Sequence, residues 1–282
     1  MRERDERAAG YISVLAAALL WSAGGLLIKL IPWSAFSINA ARCLVALFFK
    51  FAVRGSFRIK FTPRSALGGA AMAATTTMFA FANKLTTSAN AIMLQYSFPM
   101  FLILFVWLQT KQRPKKTDVL TSIIIVGGVF LCCLDSLGSG RALGDMLAVA
   151  SGITFALYFF INTTPKALPG DANCIGFLLS FLIGFPSLIG ERDFSFVPVL
   201  YAVLLGAFQL GLAYSLLEYG IRRIPAISAS FITAIEPVMN PVWVAIFYGE
   251  RIGLYAVAGS CLVVAAMVFY SVVSGKRQTK PG

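Results

Sequence analysis

The sequence contains no histidine, and only 13% of its 282 residues are charged. A soluble domain carries about 25% charged residues, so a water-facing surface of ordinary size cannot be built from this chain. Without histidine, a Ser-His-Asp triad in its usual form is excluded, and the commonest zinc ligand is missing. The five cysteines, Cys43, Cys132, Cys133, Cys174 and Cys261, fall in or beside apolar runs, and none forms a Cys-x-x-Cys pair. That pattern supports neither a disulfide framework nor a zinc site, and these cysteines are read as small packing residues. The chain has no Gly-x-x-x-x-Gly-Lys-Ser/Thr loop, so ATP hydrolysis is not expected. Neither enzymatic activity nor a cofactor or metal is expected.

What is present is apolar sequence in long stretches. Hydrophobic residues make up 58% of the chain, and the mean hydropathy is +0.80. A bilayer crossing needs about 20 apolar residues. Ten candidate helices satisfy or approach that length, at 11–31, 35–53, 65–83, 89–109, 118–134, 143–161, 172–190, 197–218, 226–247 and 253–274. The fold class expected is an all-α integral membrane protein with ten transmembrane helices. The stretch after "MRERDERAAG" is long enough for a full span and is read as a retained helix rather than a signal peptide.

The net charge of +12 would fit a nucleic-acid binder if the basic residues were gathered on one face. They are instead dispersed in short connectors. With a cytoplasmic N-terminus, the inside segments carry 17 Lys and Arg against 4 outside, with Lys29, Arg42 and Lys50 left in the spans. This is a strong positive-inside asymmetry. It predicts a multi-pass protein of a cell inner membrane with both termini cytoplasmic, and no nucleic-acid partner. A monomer is expected.

Shifting the chain by 138 residues superimposes the fourth and fifth helices on the ninth and tenth. Pro99 then meets Pro237, and Arg113 meets Arg251. Five helices per half require the halves to insert in opposite orientations, as in secondary transporters with inverted repeats. The division expected is residues 1–138 and 139–282. Glu236 meets Phe98 under this shift, so the carboxylate belongs to the second half alone.

Several segments together carry a family likeness: "AAALLWSAGGLLIKL", "INAARCLVALFF", "SANAIMLQYSFPMF" and "EPVMNPVWVAIFYGER". They resemble the drug/metabolite transporter superfamily of the EamA type across essentially the whole chain. The most specific pieces are Pro99, the Glu236-Pro237 pair and the Gly249-Glu250-Arg251 closure. The first half departs from the pattern, with Lys111-Gln112 where Gly-Glu would stand. The resemblance implies two five-helix halves around a central cavity, alternating access and secondary transport of a small organic metabolite. An amino acid or related polar or amphipathic solute, moved by export, is the leading reading. An organic cation such as a choline- or polyamine-like molecule is the alternative, and a lipid-modifying intramembrane enzyme is a weaker one. Membrane lipid and coupled protons are the other partners expected.

Polar groups inside the spans are costly and mark either function or buried pairing. Glu236 is read as a substrate- or proton-binding group, or as a partner for the backbone that Pro237 disrupts. Glu218 shares a helix face with Tyr214, which suits an amino group or organic cation, but it also stands four residues before Arg222. Arg42 is read first as structural, buried against carbonyls or a carboxylate, with a substrate carboxylate as the other possibility. The candidate substrate-binding set is Trp21, Thr76, Gln95, Tyr96, Tyr158, Gln209, Tyr214, Glu218 and Glu236. Pro99 and Pro237 are assigned a conformational role, since proline breaks the backbone ladder where a helix must bend.

Overall fold

A computed structural model describes residues 2–134, 140–233, 235–249 and 253–278. The chain runs through α1 (Arg2–Trp21), α2 (Gly24–Leu30), α3 (Ala35–Arg54), α4 (Pro63–Leu85), α5 (Ser88–Gln95), α6 (Phe98–Thr110) and α7 (Lys116–Leu134). It continues through α8 (Ala142–Asn162), α9 (Pro169–Leu188), α10 (Phe196–Leu204), a π-helical segment (Leu205–Leu212), α11 (Ala213–Ile221), α12 (Ala226–Ile232), α13 (Ile235–Tyr248) and α14 (Leu254–Gln278). No strand occurs among the described residues. Eight helical rods are long and apolar enough to cross a membrane: Asp5–Leu30, Ala35–Arg54, Pro63–Leu85, Ser88–Thr110, Ala142–Asn162, Pro169–Leu188, Phe196–Ile221 and Ala226–Tyr248. Beyond these, α14 contributes a shorter apolar stretch, Val257–Tyr270, and packs along α7. The protein is an all-helical integral membrane protein.

Four rods that read as continuous in sequence are interrupted. The rod Asp5–Leu30 breaks at Ser22 and Ala23, just before Gly24-Gly25. Ser22 Oγ turns back to the Leu19 carbonyl at 2.7 Å and accepts Trp243 Nε1 from α13 at 3.2 Å. The rod Ser88–Thr110 breaks at Tyr96 and Ser97, and the rod Ala226–Tyr248 breaks after Ile232. Each of these two breaks lies within one turn before a proline, Pro99 or Pro237, whose ring displaces the carbonyl four residues back. The fourth interruption is the π segment, which puts an extra residue into a turn.

The principal packing pairs are α4 on α8, α1 on α11, α3 on α9, α7 on α14, α4 on α9, α3 on the π segment, α5 and α6 on α8, and α1 and α2 on α13. Exchanging the rods before Ala142 with those after it, in order, maps this pattern onto itself. The rods are tied together at both ends by different chemistry. At the N-terminal end, Lys50 Nζ pairs with Glu218 Oε2 at 2.7 Å, and Arg54 Nη2 with Asp171 Oδ1 at 2.8 Å. At the opposite end, Trp33 Nε1 donates to the Asp193 carbonyl at 2.6 Å and Ser34 N–H to Glu191 Oε1 at 2.9 Å. Slight burial pushes the Glu191 carboxyl up, but hydrogen bonds from Ser37 and Ser34 outweigh it and hold it below the usual carboxylate range.

Candidate functional site

In the middle of the bundle the rods enclose a small cavity walled by Trp21, Arg42, Thr75, Thr76, Phe79, Gln95, Phe155, Gln209, Leu210, Tyr214 and Glu236. The space open to the centres of water-sized spheres is about 30 Å³, which suits roughly two waters. Six of the nine candidate residues therefore meet here: Trp21, Thr76, Gln95, Gln209, Tyr214 and Glu236. They come from α1, α4, α5, the π segment, α11 and α13, so residues far apart in sequence converge only because the rods cross at this depth.

Arg42 forms the most rigid part of the wall. It is 1% exposed, and its Nε and Nη2 donate to Asn39 Oδ1 at 3.1 and 3.0 Å, while Nη2 also reaches the Thr76 carbonyl at 2.8 Å. Asn39 is in turn fixed by donating Nδ2 to Thr77 Oγ1 at 3.0 Å. Nη1 of Arg42 is buried without a hydrogen-bond partner. Trp21 Nε1 and Gln209 Oε1, on the same cavity, are likewise buried and unpartnered. Buried polar atoms are otherwise nearly always satisfied in folded proteins. Two donors and one acceptor on residues that line the cavity are thus left without a hydrogen-bond partner.

Aromatic rings form the rest of the wall. Trp21 stacks edgewise on Phe155, with centroids 5.7 Å apart, and lies 5.0 Å from Tyr214. Gln95 is held by donating Nε2 to Ser151 Oγ at 3.0 Å. Thr76 and Ser180 hydroxyls are 3.0 Å apart.

Glu236 sits on the first turn of α13, just past the break, and is buried. Tyr96 does not line the cavity but stands behind this carboxylate. Its hydroxyl contacts both Glu236 Oε2, at 2.9 Å, and the Thr233 carbonyl. Thr233 carries the carbonyl that Pro237 displaces, four residues ahead of it, so the hydroxyl of one broken rod satisfies the backbone of the other. Tyr158 also stands outside the wall: its hydroxyl donates to Asn173 Oδ1 at 2.7 Å, and its ring packs against Tyr214 at 5.8 Å. Glu218 lies away from the cavity at the N-terminal end, where Lys50 and Arg222 Nη2, the latter at 3.2 Å, take one oxygen each. Pro99 and Pro237 are buried on the first turns of α6 and α13. Of the closure motif, Gly249 lies in the described chain, while Glu250 and Arg251 lie outside the described residues, as do the side chains of Cys132 and Cys133.

Phe79, Phe155 and Leu210 were not distinguishable in sequence from ordinary core residues. Lys50, which the charge distribution left within a span, is buried and ion-paired; its spacing four residues before Arg54 was the one signal of a shared face toward the second half. Among the described residues no group of three His, Cys, Asp or Glu side chains could hold a metal.

The fold is that of a multi-pass, all-helical membrane protein with a cavity between its rods. The EamA-like transporter family model matches residues 8–134 and again 142–272, and the chain belongs to that family. It is 24% identical over 281 residues to the uncharacterized transporter YwfM of Bacillus subtilis strain 168, covering 94% of this chain and 95% of that one. It is also 24% identical over 208 residues to an uncharacterized transporter of Clostridium kluyveri, covering 69% and 67%. A solved crystal structure with 17% sequence identity shares the fold, with a TM-score of 0.70 over 97% of this chain and 99% of that one.

Proposed function

We propose that the protein is a secondary transporter that carries a small organic solute bearing both an anionic and a cationic or hydrogen-bonding group, such as an amino acid, by alternating access. One observation carries this reading: Arg42 Nη1, Trp21 Nε1 and Gln209 Oε1 are buried, unpartnered and share one cavity with the Glu236 carboxylate. Arg42 and Trp21 suit a carboxylate. Glu236 and Gln209 suit an ammonium group, with Trp21 and Tyr214 adding cation–π attraction. A purely cationic solute would meet the same aromatic wall but would leave Arg42 unpaired beside it, so the zwitterion is favoured.

Small-molecule sites occupy about 300–1,000 Å³, far more than the present cavity. The conformation is therefore assigned as an occluded one, its rods tied together at both ends. The self-mapping packing pattern and the two family matches support two inverted halves, divided near residue 138, that rock about this cavity with ten crossings in all. Both termini are placed in the cytoplasm, in an inner membrane, by the distribution of basic residues. Export is the direction proposed, and Glu236 is the proposed proton-coupling group.

Proteoliposome flux with labelled amino acids tests this. Saturable uptake with counterflow is expected; flux that rises linearly with concentration would identify a pore and overturn the reading. Trp21→Phe keeps the ring packing but removes a donor worth about 1 kcal/mol, so KM should rise about five-fold. An imposed pH gradient should drive accumulation, and flux indifferent to it would eliminate proton coupling.

A further inference from the structure

A second concavity lies at the N-terminal end of the bundle, where α1 crosses the end of α11. It measures about 320 Å³ and is walled by Arg7, Tyr11, Arg222, Arg223, Ile224 and Pro225. The crossing is close because both helices have glycine there. A Cβ on Gly220 would stand 2.4 Å from Val14 Cγ2 and 2.9 Å from the Gly10 carbonyl, and one on Gly10 would stand 3.0 Å from the Arg223 Cβ. Small residues at such a crossing let two membrane helices touch backbone to backbone. Here that contact draws arginines from the two ends of the sequence to one groove.

Among the described residues, the lining of the groove contributes three guanidinium groups and no carboxylate. Arg223 is held in place: Nη1 donates to the Tyr219 carbonyl at 2.9 Å, and the guanidinium lies 3.4 Å over the Tyr219 ring. Its Nε is buried without a hydrogen-bond partner. Arg222 is exposed, and its acid, Glu218, lies closer to Lys50, at 2.7 Å, than to Arg222, at 3.2 Å. Asp5 and Glu6, on the exposed start of α1, stand outside the lining.

We propose that this groove binds the headgroup phosphate of an anionic phospholipid in the leaflet on the N-terminal side. Planar guanidinium forks match phosphate oxygens, and basic pockets between membrane helices are suited to anionic headgroups. The order of residues along α1 distinguishes a lipid from a free anion. Arg7, Tyr11 and Leu15 follow at four-residue spacing, so they share one helix face. Tyr11 is partly buried, its ring of the amphipathic kind enriched at headgroup level, and Leu15 beyond it is 42% exposed. A phosphate site therefore leads directly into an apolar track for an acyl chain.

The test uses the full chain in zwitterionic detergent, with thermal melting and native mass spectrometry. Phosphatidylglycerol should raise the melting temperature and remain as a bound adduct, whereas phosphatidylcholine of the same acyl chains should do neither. The combined Arg7→Gln, Arg222→Gln and Arg223→Gln variant should lose both effects. Arg58→Gln with Lys60→Gln, exposed basic residues at the same end, should keep them. Equal shifts with phosphatidylcholine, or adducts that persist in the triple variant, overturn the proposal. Inorganic phosphate or glycerol 3-phosphate matching phosphatidylglycerol would show a soluble-anion site and equally overturn it. Should the triple variant not fold, Arg7→Gln and Arg222→Gln singly carry the readout. Each is expected to weaken phosphatidylglycerol retention about five-fold, and unchanged retention in both rejects the site.

Discussion

The rod broken at Tyr96 and the rod broken after Ile232 are bent by the same device and armed with different chemistry. Both carry a proline within a turn of the break, at matching places under a 138-residue shift. One rod brings a phenol, and the other brings a displaced carbonyl and a carboxylate. Tyr96 joins the two. The difference is one of chemistry: the bends are common to both rods, while donor and acceptors are divided between them, so the breaks are complementary rather than equivalent. Glu236, a charge beside a helix breaker in apolar surroundings, thus has both a partner behind it and a cavity in front of it.

Removing the shared hydroxyl should separate the two rods most severely. Tyr96→Phe leaves the buried Glu236 carboxylate short of a donor, while the Thr233 carbonyl keeps the Glu236 N–H at 3.0 Å, so the cost is about 1–3 kcal/mol for the one unsatisfied group. Thermal melting should show the loss, and transport should fall by more than ten-fold. Glu236→Gln keeps an oxygen for Tyr96 and should destabilise less. A double-mutant cycle between Tyr96→Phe and Glu236→Gln should return a coupling of about 1 kcal/mol or more; additive effects would mean that the bridge contributes nothing.

How much of this was legible beforehand follows from what each signal measures. Rod positions were readable because apolar length is set by bilayer thickness, a local property; α4, foreseen at 65–83, runs Pro63–Leu85. The proline breaks were readable because a missing N–H is also local. The break at Ser22 was not, since glycines after a serine are common in membrane helices that stay straight. Convergence of Trp21, Thr76, Gln95, Gln209, Tyr214 and Glu236 was visible only as a set of mid-span polar and aromatic residues. Which of them face inward depends on rod rotation, and the same pattern admitted Tyr158 and Glu218, whose partners Asn173 and Lys50 settle them elsewhere. Arg42 carried two readings in sequence; the structure supports the structural one, with Nε and Nη2 bonded to Asn39 and the Thr76 carbonyl, and leaves Nη1 buried without a hydrogen-bond partner.

A smaller effect should distinguish the surroundings of the first break. Gly152 on α8 lies against it so closely that a Cβ would stand 2.6 Å from the Gln95 carbonyl and 2.9 Å from Ser97 Oγ. Backbone cannot yield as a flexible side chain can, so Gly152→Ala must push α8 and α5 apart at a cost of about 1–3 kcal/mol. Because Gln95 reaches the cavity from this turn and is tied to Ser151 beside Gly152, the KM for substrate should rise together with the loss of thermal stability. Wild-type values of both would place the two helices further apart than the close approach described.

The smallest effect expected is also the most discriminating between the rods. Replacing either proline by alanine restores one backbone N–H and removes a ring clash, so both variants should fold. At Pro237 the restored N–H competes with Tyr96 for the Thr233 carbonyl, since that carbonyl lies four residues back. At Pro99 the corresponding carbonyl is that of Gln95, which has Gly152 against it and, among the described residues, no side-chain hydroxyl donating to it. Pro237→Ala should therefore straighten its rod, loosen the bridge to Tyr96 and slow turnover several-fold with little change in melting temperature. Pro99→Ala should change turnover less. The reverse order, or equal slowing in both variants, would mean that the bends themselves limit the transport cycle and that the bond between them does not.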